Sequence, residues 1–170
     1  MQPFNSERLY YRPFRRGDAA AAFAFFGDRE VMKYSAYGVH ETVEHTAGAL
    51  ANLIEMNRQH GYGLWAVIER ATGELIGMAG LAKFDADSVP ELAYRLRRDR
   101  WGREYGTEAA CAWVEAGFST LGLSQIVAFV EPDHTVSRRI LKKAGLRFAE
   151  QRTYRGQLVD CMVMERPDAA

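Results

Sequence analysis

The stretch WGREYGTE, from Trp101 to Glu108, lies between an alternating segment that predicts a strand and an alanine-rich segment that predicts a helix. A strand that enters a helix through glycines leaves several backbone N–H groups without an intrahelical acceptor, and the helix dipole favours an anion beside them. Gly102 and Gly106 permit a positive φ or a close backbone approach. The stretch therefore predicts an anion site fit for a diphosphate, with a plain connection of turn and cap glycines as the open alternative.

Two other phosphate-binding loops are excluded by inspection of the sequence. A Walker loop needs the pattern GxxxxGK[ST], and the dinucleotide-binding loop needs GxGxxG after a strand. Neither pattern occurs in the chain. If the stretch binds a diphosphate, it does so through backbone N–H groups and without a dedicated lysine.

The hydrophobic pattern outward from this stretch predicts the order β-α-α-β-β-β-α-β-α-β-β, with a hairpin turn at Ala71 to Glu74 and a polar loop at Asp85 to Ser88. A hairpin meander that leads into a β-α-β crossover implies an α/β fold, with a central mixed sheet of about seven strands and helices on both faces. The expected strands are Arg8–Phe14, Leu64–Arg70, Leu75–Phe84, Pro90–Arg97, Ser124–Val130 and two that meet at Arg155-Gly156, and the expected helices are Asp18–Gly27, Glu41–Gln59, Thr107–Leu121 and Thr135–Ala144.

Length, charge and hydropathy restrict the class of protein. A chain of 170 residues suits a single domain, 1–170 with a core of about 7–166, and its 22 Lys and Arg residues balance 22 Asp and Glu residues. A zero net charge argues against a broad nucleic-acid or membrane footprint. The N-terminus lacks the apolar run of a signal peptide, and no segment approaches the roughly 18 apolar residues of a membrane span. We therefore expect a soluble, cytoplasmic protein, with homodimer formation left open.

Three segments resemble, in order and spacing, the core of the GNAT N-acetyltransferase superfamily: ELAYRL (Glu91 to Leu96), WGREYGTEA (Trp101 to Ala109) and VEPDHTVSRRILKKAGLRF (Val130 to Phe148). The similarity is greatest to the RimJ/RimL branch of protein N-terminal (ribosomal-protein alanine) acetyltransferases. SERLYYRPFRRGDA (Ser6 to Ala19) and GDREVMKY (Gly27 to Tyr34) look like that branch too. The resemblance implies a GNAT-like acyl-CoA N-acyltransferase fold with a splayed sheet and acetyl-CoA as co-substrate.

The resemblance also assigns cofactor-binding residues. It implies that the glycine turn holds the pyrophosphate through backbone N–H groups, that the preceding strand pairs with the pantetheine arm through its main chain, and that a splay between this strand and Gln125 to Val130 admits the thioester. The later motif contributes His134 and Ser137. The residues so assigned are Tyr94, Arg95 and Leu96 for pantetheine, and Trp101, Gly102, Arg103, Glu104, Tyr105, Gly106 and Thr107 for the pyrophosphate.

The chain departs from the family pattern at three positions. Glu104 stands where the turn usually has glycine, and a carboxylate beside a diphosphate is repulsive unless it points outward. His134 stands where the later motif usually has asparagine. Leu141 stands where many members have a tyrosine that acts as general acid. These departures put the affinity for acyl-CoA and the identity of the general acid in question, and not the fold.

GNAT-type transfer is a direct attack of a neutral amine on the thioester. Glu91 is the candidate base and a candidate contact of the acceptor, with a solvated or ion-paired glutamate as the alternative. Because side chains of a strand alternate between its two faces, Glu91 is expected on the same face as Ala93 and Arg95. A bulge near Tyr94 would shift this alternation for the residues that follow it. Ser137 is the candidate proton donor to the departing thiolate. The alternative is a residue at the start of a helix whose side chain only forms a hydrogen bond with a nearby backbone group.

Tyr34 and Tyr37 are candidate acceptor-binding residues by resemblance, although such aromatics are often core. His40, His45 and His60 show no ligand pattern with Cys or carboxylates, so no metal is expected. The favoured function is acetyl transfer from acetyl-CoA to an N-terminal α-amine of a protein or peptide. A small-amine acetyltransferase for an antibiotic, a polyamine or an amino acid is the alternative within the enzyme class. An acyl-CoA-binding module without turnover is the alternative outside it.

Overall fold

Both faces of the central part of the sheet are buried, as the alternation along strand β3 (Leu64–Glu69) indicates. Trp65 and Val67 join one hydrophobic cluster, which contains Trp113, while Leu64 and Ala66 join a second. A strand with apolar side chains on both faces needs a covering layer on each. Helices that precede β3 in the sequence form one of these layers, and helices that follow β5 form the other.

The computed structural model describes residues 1–83 and 88–167. Eight strands form one open sheet in the order β1-β2-β3-β4-β5-β6-β8-β7, in which β5 and β6 are parallel and the other neighbours are antiparallel. The second cluster packs under α1 and α3, and the first packs under α4 and α5. The elements are β1 Phe4–Asn5, β2 Leu9–Arg12, α1 Ala19–Phe26, α2 Arg29–Met32, α3 Val43–His60, β3 Leu64–Glu69, β4 Leu75–Ala82, β5 Glu91–Leu96, α4 Tyr105–Ser119, β6 Gln125–Val130, α5 Thr135–Lys143, β7 Arg147–Tyr154 and β8 Gln157–Glu165, with single 3₁₀ turns at Arg16–Asp18 and Arg98–Arg100.

The predicted mixed α/β sheet with helices on both faces is confirmed, with two additional short elements. Strand β1 pairs with Tyr10 and Tyr11 of β2, and Phe4 stacks on Tyr11 at 4.7 Å between ring centroids. Helix α2 begins where the Asp28 carboxylate accepts the N–H of Glu30 at 2.8 Å. Neither two nor four residues are long enough to display a period, so the sequence pattern missed both. Phe84 and the loop residues Asp85 to Asp87 lie outside the described residues, as does 168–170 of the tail.

No helix in 1–83 or 88–167 combines the length and the apolar character that crossing a membrane requires.

Candidate active site

Strands β5 and β6 pair at one position, between Glu91 and Val127, where the N–H of Val127 donates to the carbonyl oxygen of Pro90 at 3.1 Å. Beyond this position the two strands line opposite walls of a cavity of about 1300 Å³. The first turns of α4 and α5 line the same cavity, together with the segment that follows α2. The splay predicted between these strands is therefore the place where the sheet opens.

The edge of β5 that faces the gap exposes main-chain groups of alternate residues. The N–H of Arg97 donates to Ile76 of β4 at 2.7 Å, which fixes the phase of the antiparallel ladder. By this alternation the main chains of Tyr94 and Leu96 face the gap, and the main chain of Arg95 faces β4. The Leu96 carbonyl oxygen accepts the indole N–H of Trp101 at 3.0 Å. The assignment of Arg95 as a main-chain partner of pantetheine is thus revised, because its main chain is turned toward β4 while its side chain lines the cavity.

The turn after β5 contains two left-handed residues, Gly102 with φ 73° and Glu104 with φ 61°. Helix α4 begins at Tyr105, two residues earlier than predicted, and the first N–H bonded within the helix is that of Glu108, to the Glu104 carbonyl at 3.0 Å. Within 1–83 and 88–167, the N–H groups of Tyr105, Gly106 and Thr107 have no acceptor. Three N–H groups at a helix N-terminus that opens into a cavity make a site for an anion.

A buried carboxylate at the end of β3 holds this turn from the protein side. Glu69 accepts the hydroxyl of Tyr105 at 2.7 Å and that of Thr72 at 2.8 Å, and the guanidinium of Arg100 lies 3.4 Å away. The hydrogen bonds from Tyr105 and Thr72, with the charge of Arg100, lower the pKa of Glu69. Glu69 therefore fixes residues on both sides of the turn. The sequence pattern does not predict this role, because Arg100 and Tyr105 lie far from Glu69 along the chain.

The N-terminal segment holds the turn from another side. The Glu108 carboxylate accepts Ser6 Oγ at 2.6 Å and both the backbone N–H and Nε of Arg8 at 2.7 Å. Arg8 also donates to the carbonyl oxygen of Arg103 at 3.0 Å. The Arg103 side chain is exposed and does not line the cavity, unlike every other residue assigned to the site from the sequence.

A second group of polar residues lies on the opposite face of β5 from Tyr94. No bulge interrupts the register of Glu91 to Leu96 with β4, so Glu91 and Arg95 share this face, as period two predicts. Glu91 accepts the hydroxyl of Tyr154 at 3.0 Å. Arg155 donates to the hydroxyl of Tyr37. We call this part of the cavity, lined by Tyr37, Glu91, Arg95, Glu131 and Tyr154, the Glu91 pocket.

The sequence did not identify Tyr154, although it ends the strand before the predicted turn at Arg155-Gly156. Burial raises the pKa of Tyr154 to about 12, which keeps its hydroxyl protonated as the donor to Glu91. Burial also raises the pKa of Glu91, and the Tyr154 hydrogen bond and the charge of Arg155 oppose this effect. The aromatic residues Tyr62 and Trp65 do not line the cavity, and Trp65 is a core residue.

Comparison with known proteins supplies the family. The model of the acetyltransferase (GNAT) domain family matches residues 8–147. The chain belongs to the GNAT family. It is 31% identical to the uncharacterized N-acetyltransferase YoaA of Bacillus subtilis (strain 168), over 84% of this chain and 81% of that protein. The enzyme is accordingly an acetyl-CoA-dependent N-acetyltransferase.

Solved structures share the fold over almost the whole chain. A GNAT-family acetyltransferase from Bacillus anthracis has a TM-score of 0.82 and 25% identity, and each chain is covered over 95% of its length. A ribosomal-protein-S5-alanine acetyltransferase from Vibrio fischeri has a TM-score of 0.79 at 15% identity, with 98% and 97% covered. A spermidine N-acetyltransferase from Vibrio cholerae, in complex with CoA and spermine, has a TM-score of 0.78 at 16% identity, with 95% and 97% covered. The last two similarities show the fold alone.

The Glu104 departure from the GNAT pattern is accommodated by its neighbours. Its carboxylate accepts Lys143 Nζ and Thr107 Oγ1, each at 2.8 Å, and its side chain is exposed. The hydrogen bond from Lys143, followed by that from Thr107, lowers the pKa of Glu104. The carboxylate is therefore drawn toward α5, while the backbone keeps the left-handed conformation that a glycine would adopt freely.

The His134 departure leaves helix α5 with an N-cap of the kind that an asparagine can also supply. His134 is the N-cap of α5, and its Nδ1 accepts the N–H of Ser137 at 3.4 Å, as an Asn side-chain oxygen would. This bond requires the neutral ring with its proton on Nε2. The ring stacks on Tyr34 at 4.0 Å between centroids, so it also joins the segment after α2 to α5 across the cavity.

The family tyrosine has no counterpart at Leu141, which is buried in the core. A phenol from β5 lies instead beside the first turn of α5, because Tyr94 Oη lies 2.8 Å from Ser137 Oγ and 3.3 Å from the Ser137 carbonyl oxygen. Burial raises the pKa of Tyr94, so this hydroxyl stays protonated. Tyr94 and Ser137 thus form a hydroxyl pair in the cavity.

Acetyl-CoA is expected to raise the melting temperature, whereas NAD and ATP are not. At a hundred times its dissociation constant it would stabilise the fold by about 2.7 kcal/mol, roughly 5–10 °C. Gly106→Glu should abolish the shift, because a Cβ there would lie 3.0 Å from Ile140 Cδ1 and would bring a carboxylate to the free N–H groups. Glu104→Gly is the matched control and should keep or enlarge the shift. Equal shifts with all three nucleotides would refute the pyrophosphate site.

Stability is expected to decrease as the pH falls below about 6.5, the ordinary pKa of histidine. Burial lowers the pKa of His134 and of His40, so the stability of their neutral forms is present above that pH and is lost as the pH falls through the folded pKa values. His134→Asn keeps a cap and removes one titration. Melting temperatures from pH 8 to 5 should therefore show a smaller decrease for the variant. An unchanged decrease would mean that His134 does not contribute.

Proposed function

We propose that this enzyme acetylates an N-terminal α-amine of a protein or peptide, as in the RimJ/RimL branch, with Glu91 as the base that removes the amine proton. The observation that carries the proposal is the partly buried Glu91 carboxylate beside the gap between β5 and β6. A base is most effective when its pKa approaches the working pH, and burial raises the pKa of Glu91 in that direction.

The choice of an α-amine follows from protonation equilibria. An α-amine with a pKa of about 7.7–8.0 is neutral in roughly a tenth of the molecules at pH 7, whereas a lysine amine with a pKa of about 10.4 is neutral in roughly one per few thousand. The α-amine therefore needs about 3 kcal/mol less assistance. A single carboxylate that acts through a water molecule is sufficient for that task.

In the proposed reaction the amine nitrogen attacks the thioester carbonyl carbon, an N–C bond forms and the C–S bond breaks. Glu91 receives the amine proton. Ser137 donates a proton to the departing thiolate and takes one from the Tyr94 hydroxyl, which lies 2.8 Å from it and is reprotonated by solvent, while Glu91 returns the amine proton to solvent before the next turnover. Tyr34 and Tyr37 are proposed to contact the acceptor, because both line the cavity.

The proposed CoA site is lined by main-chain groups that are paired neither with β4 nor within helix α4. Tyr94 and Leu96 would pair with the pantetheine arm along the open edge of β5. The N–H groups of Tyr105, Gly106 and Thr107 would hold the pyrophosphate. The remaining wall of this site comprises Trp101, Gly102, Glu104, His134 and Ser137.

A small amine is the second candidate acceptor. Glu91 and Glu131 both line the Glu91 pocket, and carboxylates suit a cationic ligand. Thiol release from acetyl-CoA, measured against peptides, polyamines, aminoglycosides and amino acids, tests the choice. Peptides with a free N-terminus should be acetylated with the highest kcat/KM, and N-terminally blocked peptides that contain lysine should not react. A higher kcat/KM for any small amine would refute the protein acceptor, and no thiol release at all would refute turnover.

Glu91→Gln is expected to reduce kcat/KM at pH 7 by about 100-fold or more, the usual contribution of a general base, and to move the appearance of activity to higher pH. Without the carboxylate, only amines that are already neutral in solution would react. Tyr154→Phe is the companion variant. It removes a hydrogen bond that lowers the pKa of Glu91, so the acid limb of the pH–rate profile should move upward while activity is retained. Unchanged profiles in both variants would exclude Glu91 as the base.

A further inference from the structure

The guanidinium of Arg95 lies in the Glu91 pocket without a charged partner. In the described part of the chain no carboxylate lies within 4.0 Å of it, and it donates no hydrogen bond. The other arginines near the turn, which are Arg97, Arg98, Arg100 and Arg103, have carboxylate neighbours or are exposed. Arg97 and Arg100 pair with Asp99, for example, at 2.7 and 2.5 Å.

The surroundings of Arg95 do not compensate its charge. The ring of Phe26 is 6.0 Å away, at the limit of a cation–π contact. Burial lowers the pKa of Arg95 to about 10, and the nearby Tyr37 and Glu131 only partly oppose this effect. Burial also raises the pKa of Glu131, which weakens that residue as a counter-charge. A desolvated cation with no close partner is costly unless a ligand supplies one.

The position of Arg95 relative to Glu91 defines what such a ligand would be. Both side chains project from one face of β5, and four residues of strand separate them by about 13 Å along the chain. An extended peptide covers about 3.3–3.6 Å per residue, so an amine near Glu91 and the Cα atom one residue later span roughly a quarter of that distance. The two protein side chains and the acidic side chain of the peptide can cover the remainder.

We propose that Arg95 binds a carboxylate of the acceptor, so that the preferred acceptors are peptides with Asp or Glu at the first or second position. The planar guanidinium offers two parallel N–H donors to a carboxylate, and this pairing is strong in a partly desolvated pocket. The inference rests on the proposed function, because it takes the acceptor amine to lie at Glu91. It makes Arg95 a specificity-determining residue.

The test compares peptides that differ only in charge at the second position, Ala-Asp against Ala-Asn and Ala-Glu against Ala-Gln. The wild-type enzyme should favour the acidic member in kcat/KM by about tenfold to a hundredfold, the effect of a charge-assisted hydrogen bond. Arg95→Met should remove the preference, and Arg95→Lys should retain part of it. Arg147→Met, an exposed arginine on β7 outside the cavity, is the matched control and should behave as wild type. The acetyl-CoA melting shift verifies that each variant is folded.

The outcomes separate the two proposals. If peptides are acetylated with no preference for acidic members, or with the same preference in Arg95→Met, the role of Arg95 is overturned and the protein acceptor stands. If only small amines react, aspartate is compared with asparagine in the same variants. A preference for aspartate that depends on Arg95 then supports the carboxylate site and overturns the protein acceptor. A missing preference there overturns both, as does a failure to acetylate any amine.

Discussion

The β5–β6 pair is held at a single position, and the active site depends on that constraint. A parallel pair that continued along both strands would satisfy the main chain of Tyr94 and close the cavity. The pairing instead stops after Glu91 and Val127, where, among the strands of residues 1–83 and 88–167, two neighbours run parallel and not antiparallel. The crossover that makes them parallel is α4, whose N-terminus opens into the gap. The same topology therefore supplies an unpaired strand edge and an anion site at its end.

Alternate residues of β5 contribute to the cavity in two different ways, either through the main chain or through the side chain. The main chains of Tyr94 and Leu96 face the gap, whereas Glu91 and Arg95 bond to β4 through their main chains and project their side chains into the Glu91 pocket. A one-residue slip of register would exchange these assignments. Gly77 of β4 opposes such a slip, because a side chain at its position would clash with the Arg95 carbonyl oxygen and with Leu96 of β5. The relation between the open edge of β5 and the Glu91 pocket is thus fixed by backbone geometry.

The sequence predicted the features that local pattern determines. The apolar run of β6, the glycine turn and the parity of Glu91 are each encoded within a few residues, and the structure agrees with all three. The contacts of Glu69 with Tyr105, and of Glu91 with Tyr154, join residues 36 and 63 positions apart. The periodic pattern of apolar residues cannot reveal such contacts, because they depend on the order of strands in the sheet. The direction of the Arg95 main chain, toward β4 and away from the gap, was not predicted for a related reason: the phase of the ladder is seen only in the hydrogen bond of Arg97 to β4.

The departures from the family pattern are compensated by contacts close to each site. His134 keeps the helix cap of an asparagine and adds a ring that stacks on Tyr34. Glu104 adopts the left-handed backbone of a glycine, and Lys143 together with Thr107 holds its carboxylate. In each case the backbone geometry that the pattern encodes is retained, and only the side chain differs. Since an anion at the turn would be bound by N–H groups, retention of that geometry matters more than the identity of the residue, and a change of side chain at these positions alters the rim of the cavity and not its anion site.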